Sequence, residues 1–180
     1  IYEGTSEIQQ NIISTFRWKK TRKTKGEFYA GIADEMDRLE SACSDAGGRY
    51  ISLAARALNQ TIFLVNDHRL TREQFIMFNL ADMMMHVEVA ASLARRAASA
   101  ARDGNADAEK TRVFSKLFAN EVAELLANNI LKILLGSGIF DPEKITSFLA
   151  ETSHTALTES YRSLVPCMDR AADIIFERTP

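Results

Sequence analysis

The chain has few of the residues that most metal and redox centres require. Its two cysteines, Cys43 and Cys167, are isolated and belong to no metal-ligand or redox motif, which favours reduced, buried thiols in an intracellular protein. Its three histidines, His68, His86 and His154, lie far apart, and none begins or ends a His-x-x-x-His pattern. The sequence therefore predicts no metal site.

Helix breakers and long apolar runs are equally scarce. The 180 residues include only 3 prolines and 8 glycines, and no stretch alternates in polarity as a strand would. We find no signal peptide and no apolar run of about 18 residues, so we predict no transmembrane helix. A net charge of −2 argues against a dedicated nucleic-acid binder, while 46% hydrophobic residues permit a sizeable core. This composition is typical of an all-α fold.

Apolar residues recur at helical spacing along the chain, which predicts an antiparallel helical bundle of about four long helices plus shorter ones. Pro166 should kink or split the last helix. We expect two domains, a short opening segment at 1–25 and a helical bundle at 26–180, with Gly26 at the boundary. The predicted helices are 6–21, 27–46, 49–66, 71–102, 106–135, 142–150 and 155–176.

Several local patterns refine these helices. Ser6 with Gln9 and Thr71 with Gln74 have the spacing of capping boxes. The helix over 71–102 carries two apolar strips and should therefore contact more than one neighbour. One strip holds Phe75, Phe78, Met85, Val89 and Leu93, and the other holds Ile76, Leu80, Met83, Val87, Ala90 and Ala94.

Asp82 falls on the side of this helix that carries Phe78 and Met85. A partly buried carboxylate needs a partner, so we expect a hydrogen bond there and no catalytic role. His86, four residues further on, can reach the same face of the helix. An intrahelical hydrogen bond is the more ordinary use of this spacing than a pair of metal ligands.

A cationic run follows the first predicted helix, with no acid between Glu7 and Glu27. One interpretation is a solvated helix end whose cations suit the C-terminal dipole. Another is an anion site for lipid head groups or a phosphate-bearing ligand, with Trp18 in an interfacial position. The run consists of Arg17, Lys19, Lys20, Arg22, Lys23 and Lys25.

The first ten residues carry the most specific signal. They read Ile-Tyr-Glu-Gly-Thr-Ser-Glu-Ile-Gln-Gln, a loop that leads into a helix. Residues 1–9 resemble the C-terminal active-site motif of the acyl-CoA dehydrogenases, including the medium-chain and very-long-chain enzymes. The resemblance implies an FAD-dependent enzyme that oxidises an acyl-CoA to a trans-2-enoyl-CoA.

The resemblance also implies residue roles. Glu3 matches the glutamate that removes the α-proton of the acyl-CoA, and its backbone N–H matches a donor to the developing enolate. The α-proton of a thioester is weakly acidic, so such a base benefits from desolvation and from preorganised donors nearby. Gly4 would let the backbone pass close to the acyl-CoA substrate.

Thr5, Ser6 and Glu7 match positions that contact FAD, and the N-terminus of the first helix would suit its pyrophosphate. An ordinary helix cap is the simpler interpretation of Thr5 and Ser6, and the two are compatible. The family often has Gln in place of Glu7, and a carboxylate cannot donate that hydrogen bond. Arg is common in the family where Gln10 and Thr15 stand here.

About 160 residues follow the motif, which resembles the very-long-chain branch and some bacterial relatives with an extra C-terminal helical domain. The absence of an initiator Met suggests a fragment of a longer enzyme, expected to be inactive alone. The resemblance implies an electron-transfer flavoprotein or similar acceptor, a homodimer and peripheral membrane contact. It also implies a cytoplasmic location if the source is bacterial and a mitochondrial one if it is eukaryotic. The alternative is a non-catalytic helical module for protein interaction or membrane docking.

Overall fold

A computed structural model describes residues 5–178, and every regular element in that range is helical. Two of these elements are short 3₁₀ segments, Leu70–Arg72 and Glu159–Ser163, and the others are α-helices. This confirms the all-α fold class. The helices are α1 (Ser6–Lys23), α2 (Glu27–Ala42), α3 (Gly48–Asp67), α4 (Gln74–Arg102), α5 (Ala108–Gly136), α6 (Pro142–Glu151), α7 (His154–Thr158) and α8 (Leu164–Ile175).

Helices α2 to α5 form an up-down-up-down bundle. The start of α4 meets the end of α5, where Phe75 lies against Gly136, and the middles of the two helices meet where His86 stacks on Phe118. The two helices are therefore antiparallel. Helix α1 lies along the first half of α4 and runs parallel to it, while α6 to α8 return along α5.

The core follows the predicted periodicity in most places. Helical spacing on α3 predicts six inward apolar positions, and all six are buried: Ile51, Ala54, Ala55, Leu58, Ile62 and Val65. The strip of α4 that begins with Ile76 is also buried. The other strip of α4 lies at the margin of the bundle, where Phe75 and Val89 are more than half exposed. Helical spacing on α2 predicts an apolar stripe that omits Tyr29, but Tyr29 is fully buried. The predicted stripe holds Phe28, Ile32, Met36 (or Ala33), Leu39 and Cys43. The buried side of α4 thus faces α2, α3 and α5.

Helix α4 is the one described helix that is long and apolar enough to cross a membrane by length and composition. More than half of its apolar window (56%) is buried inside the bundle. It also contacts four other helices. These contacts are those of the central core helix of a packed domain.

The last predicted helix is divided, as Pro166 suggested. The break is the 3₁₀ segment Glu159–Ser163, so that Pro166 lies in the first turn of α8. A 3₁₀ helix advances by about 120° per residue against about 100° in an α-helix, so five residues shift the phase by about 100°. Uninterrupted helical spacing over 155–176 predicts that Met168 and Ile175 face inward, and this prediction is wrong. Both are exposed, and α8 buries Cys167 and Ala171.

Both predicted capping boxes were wrong. Thr5 is the N-cap of α1 and makes no side-chain capping bond, and α4 begins after Glu73, also without one. The start at Pro142 was predicted correctly, and Asp141 accepts a hydrogen bond from the backbone N–H of Lys144 at 2.7 Å.

Gly47 forms the tight connection between α2 and α3. Its φ is +86°, and a Cβ added there would lie 2.4 Å from the Cβ of Ala119. Only glycine fits this close approach to α5.

Candidate functional site

The predicted active-site segment leads into the exposed start of α1. Glu3 and Gly4 lie outside the described residues. Thr5 has an extended backbone (φ −74°, ψ 162°), and its carbonyl accepts the first hydrogen bonds of the helix. Thr5, Ser6 and Glu7 are all exposed, so their side chains are accessible to a ligand at this helix end.

Glu7 is an anion at the positive end of α1. Hydrogen bonds from its own backbone N–H and from the Thr5 side chain hold the pKa of this carboxyl below its usual range. The carboxylate therefore uses some of the donors that a bound phosphate would need. Thr5 and Ser6 keep the geometry of a helix start, while Glu7 adds negative charge beside it.

A polar seam attaches α1 to α4. Near its start, the Gln10 side-chain amide donates to Asp82 Oδ1 at 2.8 Å. This is the partner that the partly buried Asp82 was expected to have. The ring of His86 lies 2.7 Å from the backbone carbonyl of Asp82 rather than from its carboxylate, which confirms an intrahelical contact. Ser14, at the middle of the seam, is buried and donates to the carbonyl of Gln10.

The seam continues at Glu88, which joins three helices. Arg17 of α1 donates to both carboxylate oxygens of Glu88, with Nε 2.6 Å from Oε1. Tyr29 of α2 donates its hydroxyl to the same Oε1 at 3.1 Å. Burial, and then the charge of Glu88, raise the pKa of the Tyr29 hydroxyl. The tyrosine therefore stays a neutral donor, and one carboxylate binds α1 and α2 to α4.

The cationic run is not one continuous anion-binding surface. Arg17 is paired with Glu88, and the Lys20 ammonium lies 3.7 Å from the ring centre of Phe28. Trp18 packs on the core, with its indole N–H buried and without a hydrogen-bond partner among residues 5–178. Trp18 is only partly buried, and its interfacial position stays a prediction. Lys19, Lys23 and Lys25 remain exposed.

The outer face of α1 is apolar. Ile8, Ile12 and Phe16 follow at intervals of four residues and are 50%, 47% and 70% exposed. This outer stripe lies away from the seam, because the seam uses Gln10, Ser14 and Arg17. Helix α1 thus contacts the bundle through the polar seam together with Ile13 and Trp18, and it also carries an apolar stripe on its outer side, which an ordinary surface helix lacks.

Within residues 5–178, no group of three or more His, Cys, Asp or Glu side chains could hold a metal ion. The elements of the candidate site are therefore the opening segment and the helices that hold α1. Sequence reasoning missed the role of Glu88 and Tyr29. Tyr29 could have been found, since it shares a helical spacing with Ile32, Ala33 and Met36. Glu88 carries no such local signal.

The described residues form an all-helical bundle with α1 held against its central helix, and this fold defines the general class. Comparison with known proteins identifies the family. The family described as "Acyl-CoA dehydrogenase, C-terminal domain" matches residues 30–162. The chain belongs to the acyl-CoA dehydrogenase family, through its C-terminal domain.

Similar curated proteins agree with this assignment. They are named "Probable acyl-CoA dehydrogenase fadE25" and come from Mycobacterium leprae, Mycobacterium bovis and Mycobacterium tuberculosis. Each is 27% identical over 139 residues, which cover 74% of this chain and 36% of the relative. The chain thus spans about a third of the length of these relatives. No solved structure shows a significant match.

Proposed function

We propose that this chain is the C-terminal part of an FAD-dependent acyl-CoA dehydrogenase, and that its bundle positions the active-site segment of that enzyme. Family membership and the relatives' greater length support the proposal. The active-site roles of residues 1–9 rest on their resemblance to the family motif. The isolated chain should be inactive, because the remaining walls of the site belong to the rest of the enzyme.

The observation that carries the proposal is the outer stripe of α1. Three large apolar side chains in a row cost free energy in water and are uncommon on a helix that has no further partner. The bundle leaves Ile8, Ile12 and Phe16 uncovered. We propose that the rest of the same polypeptide covers them, with α1 held between the catalytic part and the bundle.

The residues present fit FAD in part. The exposed hydroxyls of Thr5 and Ser6 at the start of an 18-residue helix suit a phosphate group. The Glu7 carboxylate does not suit a second anion, and it already accepts a hydrogen bond from Thr5. We therefore assign the phosphate contact to Ser6, keep Thr5 as a cofactor contact whose hydroxyl is shared with Glu7, and place Glu7 at a polar part of the cofactor.

The chemical role of the chain lies with Glu3. Its carboxylate takes the α-proton of the acyl-CoA, and its backbone N–H donates to the thioester oxygen as negative charge develops there. FAD supplies the acceptor for the hydride that leaves the β-carbon. Gly4 leaves room for the thioester beside the backbone. An electron-transfer flavoprotein as acceptor and a homodimeric enzyme complete the proposal.

Glu3→Gln in the complete enzyme tests this role. The amide cannot accept the proton, so the variant should keep its flavin while flavin reduction by acyl-CoA slows by about 10²–10⁴-fold. Stopped-flow absorbance of the flavin measures the rate. Glu27→Gln, an exposed carboxylate at the start of α2, is the matched control and should reduce normally. Wild-type reduction rates in Glu3→Gln would show that the base is another residue.

A further inference from the structure

A second feature of the bundle lies far from α1. A cleft of about 370 Å³ opens where the α2–α3 connection, the start of α5 and the segment leading into α8 meet. It lies at the end of the bundle opposite the start of α4. Its charged lining residues are Asp45, Arg112, Lys116, Arg162 and Arg170.

The cleft is positively charged on a chain that is negative overall. Its four cations face Asp45 within the cleft, and two further carboxylates, Glu109 and Asp173, act on Arg170 from beside it. This leaves a formal excess of one positive charge at the cleft, while the whole chain carries −2. Such an excess in a concave site attracts anions more strongly than the same charges would on a flat surface.

The carboxylates satisfy the cations only in part. Asp45 lies 2.6 Å from the Lys116 ammonium and 3.6 Å from Arg112. The hydrogen bond from Lys116 lowers the pKa of Asp45, so Asp45 is ionised at neutral pH and holds both cations at one edge. Arg170 pairs with Glu109. Arg162 has no ion pair within residues 5–178.

The lining of the cleft is mixed, with Val113, Pro166 and Cys167 between the charged residues. Ser163 of the lining accepts a hydrogen bond at 3.1 Å from the side-chain amide of the buried Asn120 behind it. Ser163 also borders an adjoining cavity of about 220 Å³, which shares Asp45 and Lys116 and adds one carboxylate, Glu40, and one cation, Arg49. The two cavities together offer more room than a single small ion needs.

We propose that this cleft binds a soluble anion with two linked phosphate groups, of the diphosphate class. The unpaired Arg162 and the edge formed by Lys116 and Arg112 give the cleft two cationic groups for a ligand with two charged groups, and an arginine guanidinium can donate to two oxygens of one phosphate. The Arg162 guanidinium, which has no ion pair among the described residues, binds one phosphate group. Lys116 and Arg112, held in place by Asp45 at one edge of the cleft, bind the other. This site is independent of the proposed dehydrogenase role, because it uses none of the residues of α1.

Isothermal titration calorimetry with inorganic pyrophosphate at fixed ionic strength tests the proposal on the full chain. The wild type should bind one pyrophosphate saturably. Arg162→Gln should weaken binding about tenfold through the loss of one close charge. Asp45→Asn should strengthen it, because the internal competing anion is removed. Asn tolerates the positive φ of 67° at this position.

Arg72→Gln is the charge-matched control. Arg72 is exposed and precedes α4, at the far end of the bundle, so this variant should bind as the wild type does. Far-UV circular dichroism confirms that each variant is folded. If Arg72→Gln and Arg162→Gln weakened pyrophosphate binding equally, the effect would come from net charge alone and the proposal would be overturned. Weaker pyrophosphate binding by Asp45→Asn would also overturn it.

Vesicles separate a soluble ligand from a lipid head group. Phosphatidylcholine vesicles with and without phosphatidic acid are tested by flotation under the same salt conditions. Saturable pyrophosphate binding without flotation supports a soluble diphosphate. Flotation that depends on Arg162, without measurable pyrophosphate binding at millimolar concentration, would overturn it, and so would the absence of binding in both assays.

Discussion

The seam between α1 and α4 differs in kind from the interface between α4 and α5. The α4–α5 interface is built from fully buried apolar side chains such as Met83, Met84, Leu126 and Ile130. In α1, the fully buried residues are Ser14 and Thr21, and the helix is held by hydrogen bonds and one ion pair together with the partly buried Ile13 and Trp18. Apolar burial contributes most of the folding free energy, whereas partly exposed polar contacts contribute little net stability but fix position.

This difference indicates that the bundle supplies the stability and the seam supplies the placement of α1. The domain boundary at Gly26 stays a prediction, since the structure places α1 and α2 on the same central helix without dividing them. Three changes would break or sharpen the contrast, and they are ordered from the largest expected effect to the smallest.

Leu126→Ala should give the largest effect. Leu126 is fully buried on α5, and its truncation should lower the free energy of unfolding by about 2–5 kcal/mol. Urea denaturation followed by circular dichroism measures the change. Leu135→Ala, at a site that is 61% exposed on the same helix, should cost less than about 0.5 kcal/mol. Similar losses for both variants would contradict a core centred on this interface.

Glu88→Gln should weaken the contact between α1 and α4 and leave the core unchanged. The amide keeps an acceptor for Tyr29 but loses the charge that holds Arg17. Because both side chains are about a third exposed, we expect only about 1 kcal/mol. Amide hydrogen exchange should accelerate several-fold in α1 and remain unchanged in α5.

Glu121→Gln is the control for the seam. Glu121 is exposed on α5 and makes no ion pair among the described residues. Unaltered exchange in α1 after Glu88→Gln would mean that apolar contacts, and not the ion pair, hold this helix.

The smallest effect concerns acid titration. The hydrogen bond from Arg95 lowers the pKa of Glu35 below its ordinary value near 4.5. A carboxyl with a depressed folded-state pKa contributes stability above the unfolded pKa, and the contribution is lost as pH falls through the folded pKa. Glu35→Gln should therefore reduce the dependence of unfolding free energy on pH below about 4.5, and cost less than about 0.5 kcal/mol at pH 7.

Urea denaturation between pH 3 and pH 7 measures this dependence. Glu143→Gln, an exposed carboxylate without an ion pair in the described part of the chain, should leave the slope as it is. If the unfolding free energy of the wild type and of Glu35→Gln depended on pH in the same way, the ion pair with Arg95 would have no role in acid stability.

Sequence periodicity predicted the fold well where a helix has one buried face, as in α3. It failed in the last helix, because five residues of 3₁₀ geometry rotate the faces that follow and exposed Met168 could not be distinguished from a core residue. It could not predict the seam or the cleft. Arg17 and Glu88 are 71 residues apart, and Asp45 and Arg162 come from opposite parts of the chain. Pairs of this kind depend on the folded topology and leave no local pattern.

The ion pair between Arg17 and Glu88 also fixes the position of the start of α1 relative to α4. Twelve residues, or about 18 Å of helix, separate Arg17 from Thr5, where α1 begins. Because Arg17 is fixed to α4, it determines where along α4 the chain enters α1 and from which side of the helix axis it enters. One residue added or removed between them would move that entry point by about 1.5 Å and turn it by about 100°. The spacing between Thr5 and Arg17 is thus constrained more tightly than the identity of the residues on the outer stripe.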